Sequence, residues 1–266
     1  MKLNKLMFAV LGGLALALPA FAGTATAKNP KNPVIAPAPE EDLGLTLSVG
    51  YDSSYLFRGV DFGDNWISTA LSLDIPLVDK VKATLDANFG SLADDSDNFI
   101  GNQSYQRLEL GAGIAYDAGA AEIGFGYRWY HHMGDLDSAF EDGHEVGLTV
   151  ASSVGPVNVG IGTYYDFAID GWYLEAAANT EVKINDMFSI VPGANIGYAI
   201  DYSWHDRNFS GDNFTHVGVS IAFPVKLSSR ATLTPYIAAN FPLTALDNTN
   251  VDDDKLYGGV SLSVKF

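Results

Sequence analysis

The feature that most constrains this chain is a period-two alternation of apolar and polar residues, in segments of about ten residues from Leu43 onward. In one segment Ile123, Phe125, Tyr127 and Trp129 alternate with small or polar residues. Successive side chains of a β-strand point to opposite faces, so each segment predicts a strand with one apolar face. The alternation predicts about twelve strands, at 43–58, 66–75, 81–90, 104–116, 121–131, 144–152, 157–167, 172–183, 188–201, 213–225, 231–242 and 255–266.

The connections between these strands alternate between short and long. The short links are 76–80, 117–120, 153–156, 184–187 and 226–230, and the long polar links are 91–103, 132–143, 202–212 and 243–254. The link at 59–65 is intermediate, and 168–171 is a short exception on the outer side. Short periplasmic turns and long extracellular loops are typical of a membrane barrel. We therefore expect an all-β, antiparallel, transmembrane up-and-down β-barrel of about twelve strands over residues 43–266.

Aromatic residues collect near the ends of the predicted strands. A secreted β-sandwich or a lipocalin-like barrel would alternate in the same way, so alternation alone does not exclude a soluble protein. Tyr and Trp rings, however, concentrate where a membrane barrel meets the lipid headgroups. The predicted interface aromatics are Tyr51, Trp66, Trp129, Tyr165, Trp172 and Tyr198. Together with the continuous apolar face of the strands, they favour the membrane barrel.

The first 42 residues predict two segments that precede the barrel. Residues 1–22 combine Lys2, Lys5, an apolar run and a final Ala-Phe-Ala, which is the pattern of a cleaved secretory signal peptide. Residues 23–42 hold four prolines and few large apolar residues, which predicts a flexible, Pro-rich periplasmic segment. We expect an exported protein that resides in the cell outer membrane.

Composition disfavours several classes of function. The chain has no cysteine, so neither a disulfide framework nor a thiolate site is expected. Without Lys2 and Lys5 it has 13 basic and 32 acidic residues, a formal net charge of −19. Nucleic acid is not an expected partner, because phosphate binding needs the opposite sign. No residue pattern indicates a cofactor, and we expect none.

Two short motifs resemble those of bacterial outer-membrane proteins. The stretch GYDSSYLFRGVDFGDN resembles the Ser-x-Tyr-x-x-Arg-Gly region of a family of Gram-negative outer-membrane barrels of unknown function; the motif positions are Ser53, Tyr55, Arg58 and Gly59. The closing KLYGGVSLSVKF, ending in Phe266, resembles the C-terminal signal for barrel insertion. The resemblance implies outer-membrane lipid, lipopolysaccharide and the barrel-assembly machinery as partners, and it implies no activity.

Charged residues on the polar faces of the strands are predicted to face the lumen. The candidates for a constriction are Arg58, Arg107, Arg128, Glu109, Glu145 and Glu175. Buried charges must be paired or hydrated, which leaves two alternatives. Either they neutralise one another and plug a narrow barrel, or they line a water-filled pore and set its selectivity. Glycines on the same face, among them Gly162 and Gly197, leave space and favour a narrow channel.

Arg58 and Gly59 stand at the end of the first predicted strand. A tilted strand of ~9 to 11 residues spans the bilayer, so this strand leaves the membrane before Arg58. Parity places Tyr55 and Phe57 outward and Arg58 inward, at the outer mouth, where Asp52 or a loop carboxylate could pair with it. Gly59 then allows the chain to turn. An equally weighted alternative is that these residues only pin the first turn.

The polar residues predict neither catalysis nor a defined metal site. Only His216 is predicted to face the lumen within a strand, and no motif pairs Ser138 or Ser210 with a histidine. Adjacent His131 and His132 point to opposite faces of a strand. The acidic loops ADDSD, GDLDSAFEDG and VDDDK could bind Ca²⁺ or Mg²⁺ loosely, but they lack the spacing of an EF-hand. Solvating loops are the favoured interpretation.

The leading hypothesis is therefore a non-enzymatic, narrow passive channel for small polar or ionic solutes. The alternative is a non-conducting structural or surface-adhesion barrel that acts through its acidic extracellular loops. An outer-membrane lipid-modifying enzyme is the third candidate. Barrel diameter grows with strand number, and about twelve strands lie between the packed small barrels and the open porins. Strand number thus does not decide between an open and a plugged lumen.

Overall fold

The computed structural model describes five parts of the chain, residues 43–93, 104–135, 141–202, 212–246 and 253–266. The predicted signal peptide and Pro-rich segment, residues 1–42, lie outside the described residues. Most of the acidic loop segments do as well, together with Ser138, His205 and Ser210. Within the described parts, no helix is long and apolar enough to cross a membrane.

Within the five described parts, fourteen β-strands form one closed antiparallel sheet. Twelve are long and build the wall, and the two-residue strands β9 and β12 follow β8 and β11 after short breaks. Their bounds are β1 Leu45–Phe57, β2 Val60–Val78, β3 Val81–Leu92, β4 Tyr105–Asp117, β5 Glu122–Gly134, β6 Gly143–Val154, β7 Val157–Asp166, β8 Gly171–Thr180, β9 Val182–Lys183, β10 Ser189–Ile200, β11 Asn213–Ala222, β12 Val225–Lys226, β13 Ala231–Pro242 and β14 Lys255–Lys265.

Each long strand pairs with two neighbours, which closes the barrel. β1 pairs with β2 and with β14, and β11 pairs with both β10 and β13. The other long strands pair with their neighbours in chain order. The predicted antiparallel barrel of twelve long strands is confirmed.

The two ends of the barrel differ in their connections. The inner end carries the start of β1 and the end of β14, and its connections are two to five residues long. At the opposite, outer end, four connections are eight to twelve residues long, which confirms the predicted alternation. The predicted link at 59–65 was wrong, since β2 already begins at Val60 and the first connection has two residues. Its Asp, Gly and Asn residues suggested a loop, but they continue the strand pairing.

Side chains alternate across the wall as the sequence predicts. Outward positions are apolar and exposed, as at Phe125 and Ile161, which are 54% and 64% exposed. Soluble monomers rarely expose apolar patches of this extent, so the outer surface suits contact with lipid. The inward positions are polar or small along most strands. Buried side chains concentrate near the outer end; Arg107, Glu145 and Tyr173 are each the third residue of their strand from that end.

Candidate functional site

The first hairpin folds into the lumen instead of extending the wall. β1 pairs with β14 as far as Asp52, and β2 pairs with β3 from Trp66 onward. Beyond these points the two strands pair with each other, and their register shifts after Tyr55 because Phe62 is an extra residue on β2. A β-bulge of this kind bends a strand pair. The hairpin tip, defined here as residues 54–62, thus turns away from the wall.

The turn at the tip depends on the pair Arg58-Gly59. Both residues have positive φ, 55° and 87°, and Phe57 pairs with Val60 across them. Two positive φ angles are typical of the type I′ turn, whose twist matches that of a two-residue hairpin. In addition, a Cβ at Gly59 would lie 2.7 Å from the ring of His216 on β11. Conformation and space therefore both require glycine at this position.

Both faces of the hairpin tip are covered by the wall. On one face, Tyr55 stacks on Trp66 with ring centroids 4.0 Å apart, within a cluster of buried aromatic residues. On the other face, Leu56 packs with Ala238 of β13 and Tyr257 of β14. Tyr55 is 4% exposed and Leu56 is 7% exposed. The tip therefore fills the lumen between opposite walls at this level.

Arg58 reaches from the tip to the far side of the barrel. Its guanidinium forms an ion pair with Glu145 of β6 and donates a hydrogen bond to the Tyr202 hydroxyl. Its Cζ lies 4.4 Å from the ring centroid of Tyr173, 5.0 Å from that of Tyr202 and 5.4 Å from that of Tyr164. These are cation–π distances. We refer to the three rings as the tyrosine cage.

A second cluster of charges lies on the wall beside the tip. Arg107 forms an ion pair with Glu109 on the same strand. Arg128 of β5 lies 2.9 Å from the other carboxylate oxygen of Glu109 and 3.3 Å from Asp86 of β3. The Cζ of Arg107 also lies 4.2 Å from the ring centroid of Phe57 at the tip. The hairpin therefore contacts this cluster as well.

Two aromatic residues connect the clusters around Arg58 and Arg107. The ring of Phe57 has Arg58 Cζ at 4.9 Å in addition to Arg107. Tyr130 of β5 donates from its hydroxyl to Glu145 at 3.2 Å, and its ring centroid lies 5.1 Å from Arg107 Cζ. Charges and rings thus form one continuous network across the outer half of the lumen.

Polar contacts fasten the tip to β13 and β14. Lys255 Nζ lies 2.7 Å from Asp61 and 3.0 Å from Asp64, both on β2. The side-chain amide of Asn240 donates to the Gly59 carbonyl at 3.1 Å. Lys255 is partly exposed, whereas Asn240 is buried. The fastening therefore combines a buried hydrogen bond with ion pairs that water can reach.

The expected surroundings of Arg58 were wrong. Arg58 lies inside the barrel, and its partner is Glu145 on the wall, whereas Asp52 accepts a hydrogen bond from Tyr236. Tyr55 and Phe57, expected to face outward, are buried inside. Strand parity assumes that a strand stays in the sheet, and β1 leaves its β14 neighbour after Asp52.

The constriction candidates all lie on the inward face. Arg58, Arg107, Glu109 and Glu145 are buried, and Arg128 is nearly so. Glu175 of β8 accepts a hydrogen bond from Tyr173 at 3.5 Å. Their role as a constriction stays a prediction. The sequence predicted these residues one by one, and the structure brings them together in one network around Arg58 and Arg107.

Most predicted interface aromatics lie on the outward face, and Trp66 does not. The outward ones are Tyr51, Trp129, Tyr165, Trp172 and Tyr198. Trp66 is 3% exposed and stacks on Tyr55 inside the barrel. The alternation in β2, with Ile67 outward and exposed, could have placed it inward. Contact with headgroups, like the insertion role of the exposed Phe266, stays a prediction.

Sequence reasoning missed the aromatic lining of the outer lumen. The buried tyrosines are Tyr55, Tyr105, Tyr130, Tyr164, Tyr173, Tyr202 and Tyr257. Strand parity offered a signal, because Tyr164 and Tyr173 alternate with Tyr165 and Trp172, which were assigned outward. His132 was also missed as a residue of the lumen. It is buried, and its Nδ1 lies 2.9 Å from the Tyr105 hydroxyl oxygen.

The lumen glycines do not simply leave open space. A Cβ at Gly162 would lie 2.3 Å from the Tyr164 hydroxyl, and one at Gly197 would lie 2.3 Å from the Tyr173 hydroxyl. These glycines let the tyrosine side chains lie flat against the wall. The expectation that they widen a channel was wrong at this level.

The inner half of the lumen has a different lining. Asn158 donates to Asn179 at 3.1 Å, the Ser48 and Ser263 hydroxyls are 2.8 Å apart, and Lys82 lies 3.0 Å from Glu122. Most of these side chains are only partly buried. Below the hairpin tip the lumen is therefore lined by polar side chains.

No protein-family model and no curated protein matches this sequence. An outer-membrane channel from Pseudomonas putida F1 is similar in structure, with a TM-score of 0.55 at 11% identity over 86% of this chain and 99% of that one. LpxR from Salmonella typhimurium has a TM-score of 0.50 at 9% identity, over 83% and 100% of the two chains. The translocator domain of the autotransporter NalP from Neisseria meningitidis has a TM-score of 0.50 at 12% identity, over 86% and 90%.

At these identities the likeness concerns the fold alone. Together with the apolar outer surface, it defines the class of this protein: an antiparallel β-barrel of the bacterial outer-membrane type. The activity has to be argued from the lumen of this chain.

Proposed function

We propose that this barrel is a narrow passive channel for small polar or ionic solutes, closed in this structure by the first hairpin. The observation that carries the proposal is the nature of the closure. The outer lumen is filled by a hairpin tip whose backbone is detached from the wall ladders, and the inner lumen below it is lined by polar side chains. An element held by side chains alone can withdraw while the wall stays intact.

The chemistry of the contacts supports a gate more than a permanent plug. Well-packed apolar residues often stabilise an interior as well as or better than buried ion pairs do. The tip has aromatic and aliphatic packing, but it is also seated on Arg58–Glu145 and beside Arg107–Glu109. When the tip leaves, these groups would line a hydrated path, as charged rings do in channels.

The balance of charge supports a preference for cations. Among the described residues, the two clusters around Arg58 and Arg107 hold three arginines, Arg58, Arg107 and Arg128. On the same strands they hold five carboxylates, Asp86, Glu109, Glu145, Asp166 and Glu175. A path with surplus negative charge raises the local concentration of cations. The solutes would be small, because a barrel of twelve long strands is narrower than the open porins.

The alternative of a non-conducting structural barrel is favoured by one observation, the near-complete burial of the tip. An enzyme is the weaker proposal. Within the described residues, the buried His132 contacts Tyr105, and the buried His216 contacts Thr215 and Asn195. These contacts are not those of a serine–histidine–carboxylate triad. Action through the acidic loops would involve residues 94–97, 136–140 and 251–252, which lie outside the described residues.

The Ser-x-Tyr-x-x-Arg-Gly motif would then be a hairpin-seating motif. Ser53 accepts a hydrogen bond from the Gly258 amide, and Tyr55 stacks inside the barrel. Arg58 binds the far wall and Gly59 makes the turn. We also propose that the barrel contacts outer-membrane lipid and lipopolysaccharide. The barrel-assembly machinery would recognise Phe266 during insertion.

Conductance in planar bilayers tests the channel. We expect purified wild-type protein to show small, intermittent currents, and an Arg58→Ala variant to show larger and longer ones. Heat-modifiable gel mobility would confirm that both barrels are folded. Silence of both folded proteins would contradict the channel and favour the structural barrel.

A further inference from the structure

The tyrosine cage and Glu145 together have the composition of a cation-binding site. Cages of aromatic rings bind organic cations, because the negative faces of the rings attract a charge that is only weakly hydrated. Tyr164, Tyr173 and Tyr202 come from the wall or from the segment just after β10. Glu145 adds a carboxylate. None of these four residues belongs to the hairpin, so the site would persist if the tip withdrew.

In this structure the site is occupied by the chain itself. The guanidinium of Arg58 contacts all three rings and pairs with Glu145. Arg58 reaches the site on the tip, from the opposite part of the barrel wall. It is therefore placed as a covalently tethered ligand would be.

The charge around the cage exceeds what Arg58 neutralises. Asp166 is the cross-strand partner of Glu145 on β7, on the same inward face. Glu175 lies two residues after Tyr173 on β8 and accepts its hydroxyl hydrogen bond. Within the described residues, three carboxylates thus lie at or beside the cage, and one guanidinium, that of Arg58, is bound in it. Arg128, the nearest other cation in the ladder, is bound to Glu109 and Asp86.

One polar atom of the cage also lacks a partner. The Tyr164 hydroxyl is buried and makes no hydrogen bond with the described protein residues. A buried hydroxyl left in this way is destabilising, because its hydrogen bonds to water are lost without replacement. Arg58 therefore does not satisfy every polar atom of the cage.

We infer that the cage and Glu145 form a binding site for small organic cations with a guanidinium or amine group, which Arg58 occupies when the hairpin is closed. This deepens the proposed function, on which its role in transport rests: a cationic solute would compete with Arg58 and favour the open hairpin. Binding itself requires no conductance.

Methylguanidinium tests the site in detergent-solubilised protein, with neutral methylurea as a control of nearly the same shape. In Arg58→Ala the site is vacated, so methylguanidinium should raise the unfolding temperature by about 3–6 °C at ten times its dissociation constant. Methylurea should have no such effect. In the double variant Arg58→Ala/Glu145→Gln the shift should be lost. Equal shifts with the two compounds, or no shift in Arg58→Ala, would overturn the site.

Wild-type protein gives a second measurement that does not depend on how the variants fold. Competition with Arg58 predicts that methylguanidinium, but not methylurea, speeds amide hydrogen exchange in residues 54–62. Unchanged exchange at saturating concentrations would contradict the inference. A barrel that binds methylguanidinium without conducting would refute the channel and keep the site. One that conducts without binding would do the reverse.

Discussion

Arg58 and Glu145 are 87 residues apart in the chain and form a buried ion pair across the lumen. The arginine belongs to the first hairpin and the glutamate to the wall strand β6. Because neither residue is exposed to solvent, each depends on the other for neutralisation. This pair joins the hairpin tip, which is the proposed gate, to the wall strand β6. The first prediction concerns this ion pair.

Replacing Glu145 by Gln should destabilise the seated hairpin strongly. The change removes the carboxylate that forms the ion pair with the buried Arg58, and breaking a buried pair in this way typically costs about 3–5 kcal/mol. We expect faster hydrogen exchange in residues 54–62 and larger currents. Glu141→Gln is the matched control, because Glu141 is exposed near the outer end of the same strand. Equal behaviour of the two variants would show that the ion pair does not hold the tip.

Replacing Gly59 by Ala should unseat the tip without damaging the wall. The new Cβ would lie 2.7 Å from the ring of His216, at a residue with φ of 87°. Gly119→Ala is a close control, since Gly119 has φ of 88° and no atom within 4 Å of the added Cβ. Both changes strain the backbone, but only Gly59→Ala creates a clash. Limited proteolysis of the tip should distinguish them; similar cleavage would argue against the packing described.

Replacing Lys255 by Ala should have a small effect that depends on salt. Lys255 pairs with Asp61 and Asp64, but its side chain is 32% exposed. Such exposed pairs contribute about 0–1 kcal/mol and are screened by salt. At low ionic strength we expect slightly faster amide hydrogen exchange of the tip in the variant than in the wild type. At high ionic strength this difference should almost disappear. A large, salt-independent effect would mean that this contact is a main fastening.

Replacing Arg128 by Gln in the Arg58→Ala background should increase cation selectivity. The change removes a positive charge beside Glu109 and Asp86 from the proposed path. The reversal potential measured under a salt gradient should move toward the equilibrium potential of the cation. Lys183→Gln is the control, because Lys183 is exposed on β9 at the inner end. An unchanged reversal potential with Arg128→Gln would exclude this arginine from the conducting path.

The wall of the barrel follows from local rules of sequence, and the hairpin tip does not. Strand β13 was predicted with the bounds Ala231–Pro242 that it has, because alternation and short connections act over neighbouring residues. The position of Arg58 inside the barrel depends on where the pairing of β1 with β14 ends and on a bulge at Phe62. Both are long-range or irregular features that a period-two pattern does not encode.

The candidate site was only partly accessible to sequence reasoning for the same reason. Parity correctly turned Arg107 and Glu145 inward, since both lie in regular wall strands. The pairing of Glu145 with Arg58 is set by the three-dimensional path of the tip. The cage was missed because strand-end aromatics such as Tyr165 were assigned to the membrane interface, whereas the neighbouring Tyr164, which faces the opposite side of the wall, was given no role.

The most direct test of the account fixes the hairpin to the wall. Leu56 and Ala238 pack together, and the chain has no native cysteine, so Leu56→Cys/Ala238→Cys can be compared in oxidised and reduced forms. If the first hairpin is the gate, the oxidised barrel should be silent in planar bilayers, and reduction should restore intermittent currents. Equal conductance of the oxidised and reduced forms, with the disulfide confirmed, would show that the first hairpin is not the gate.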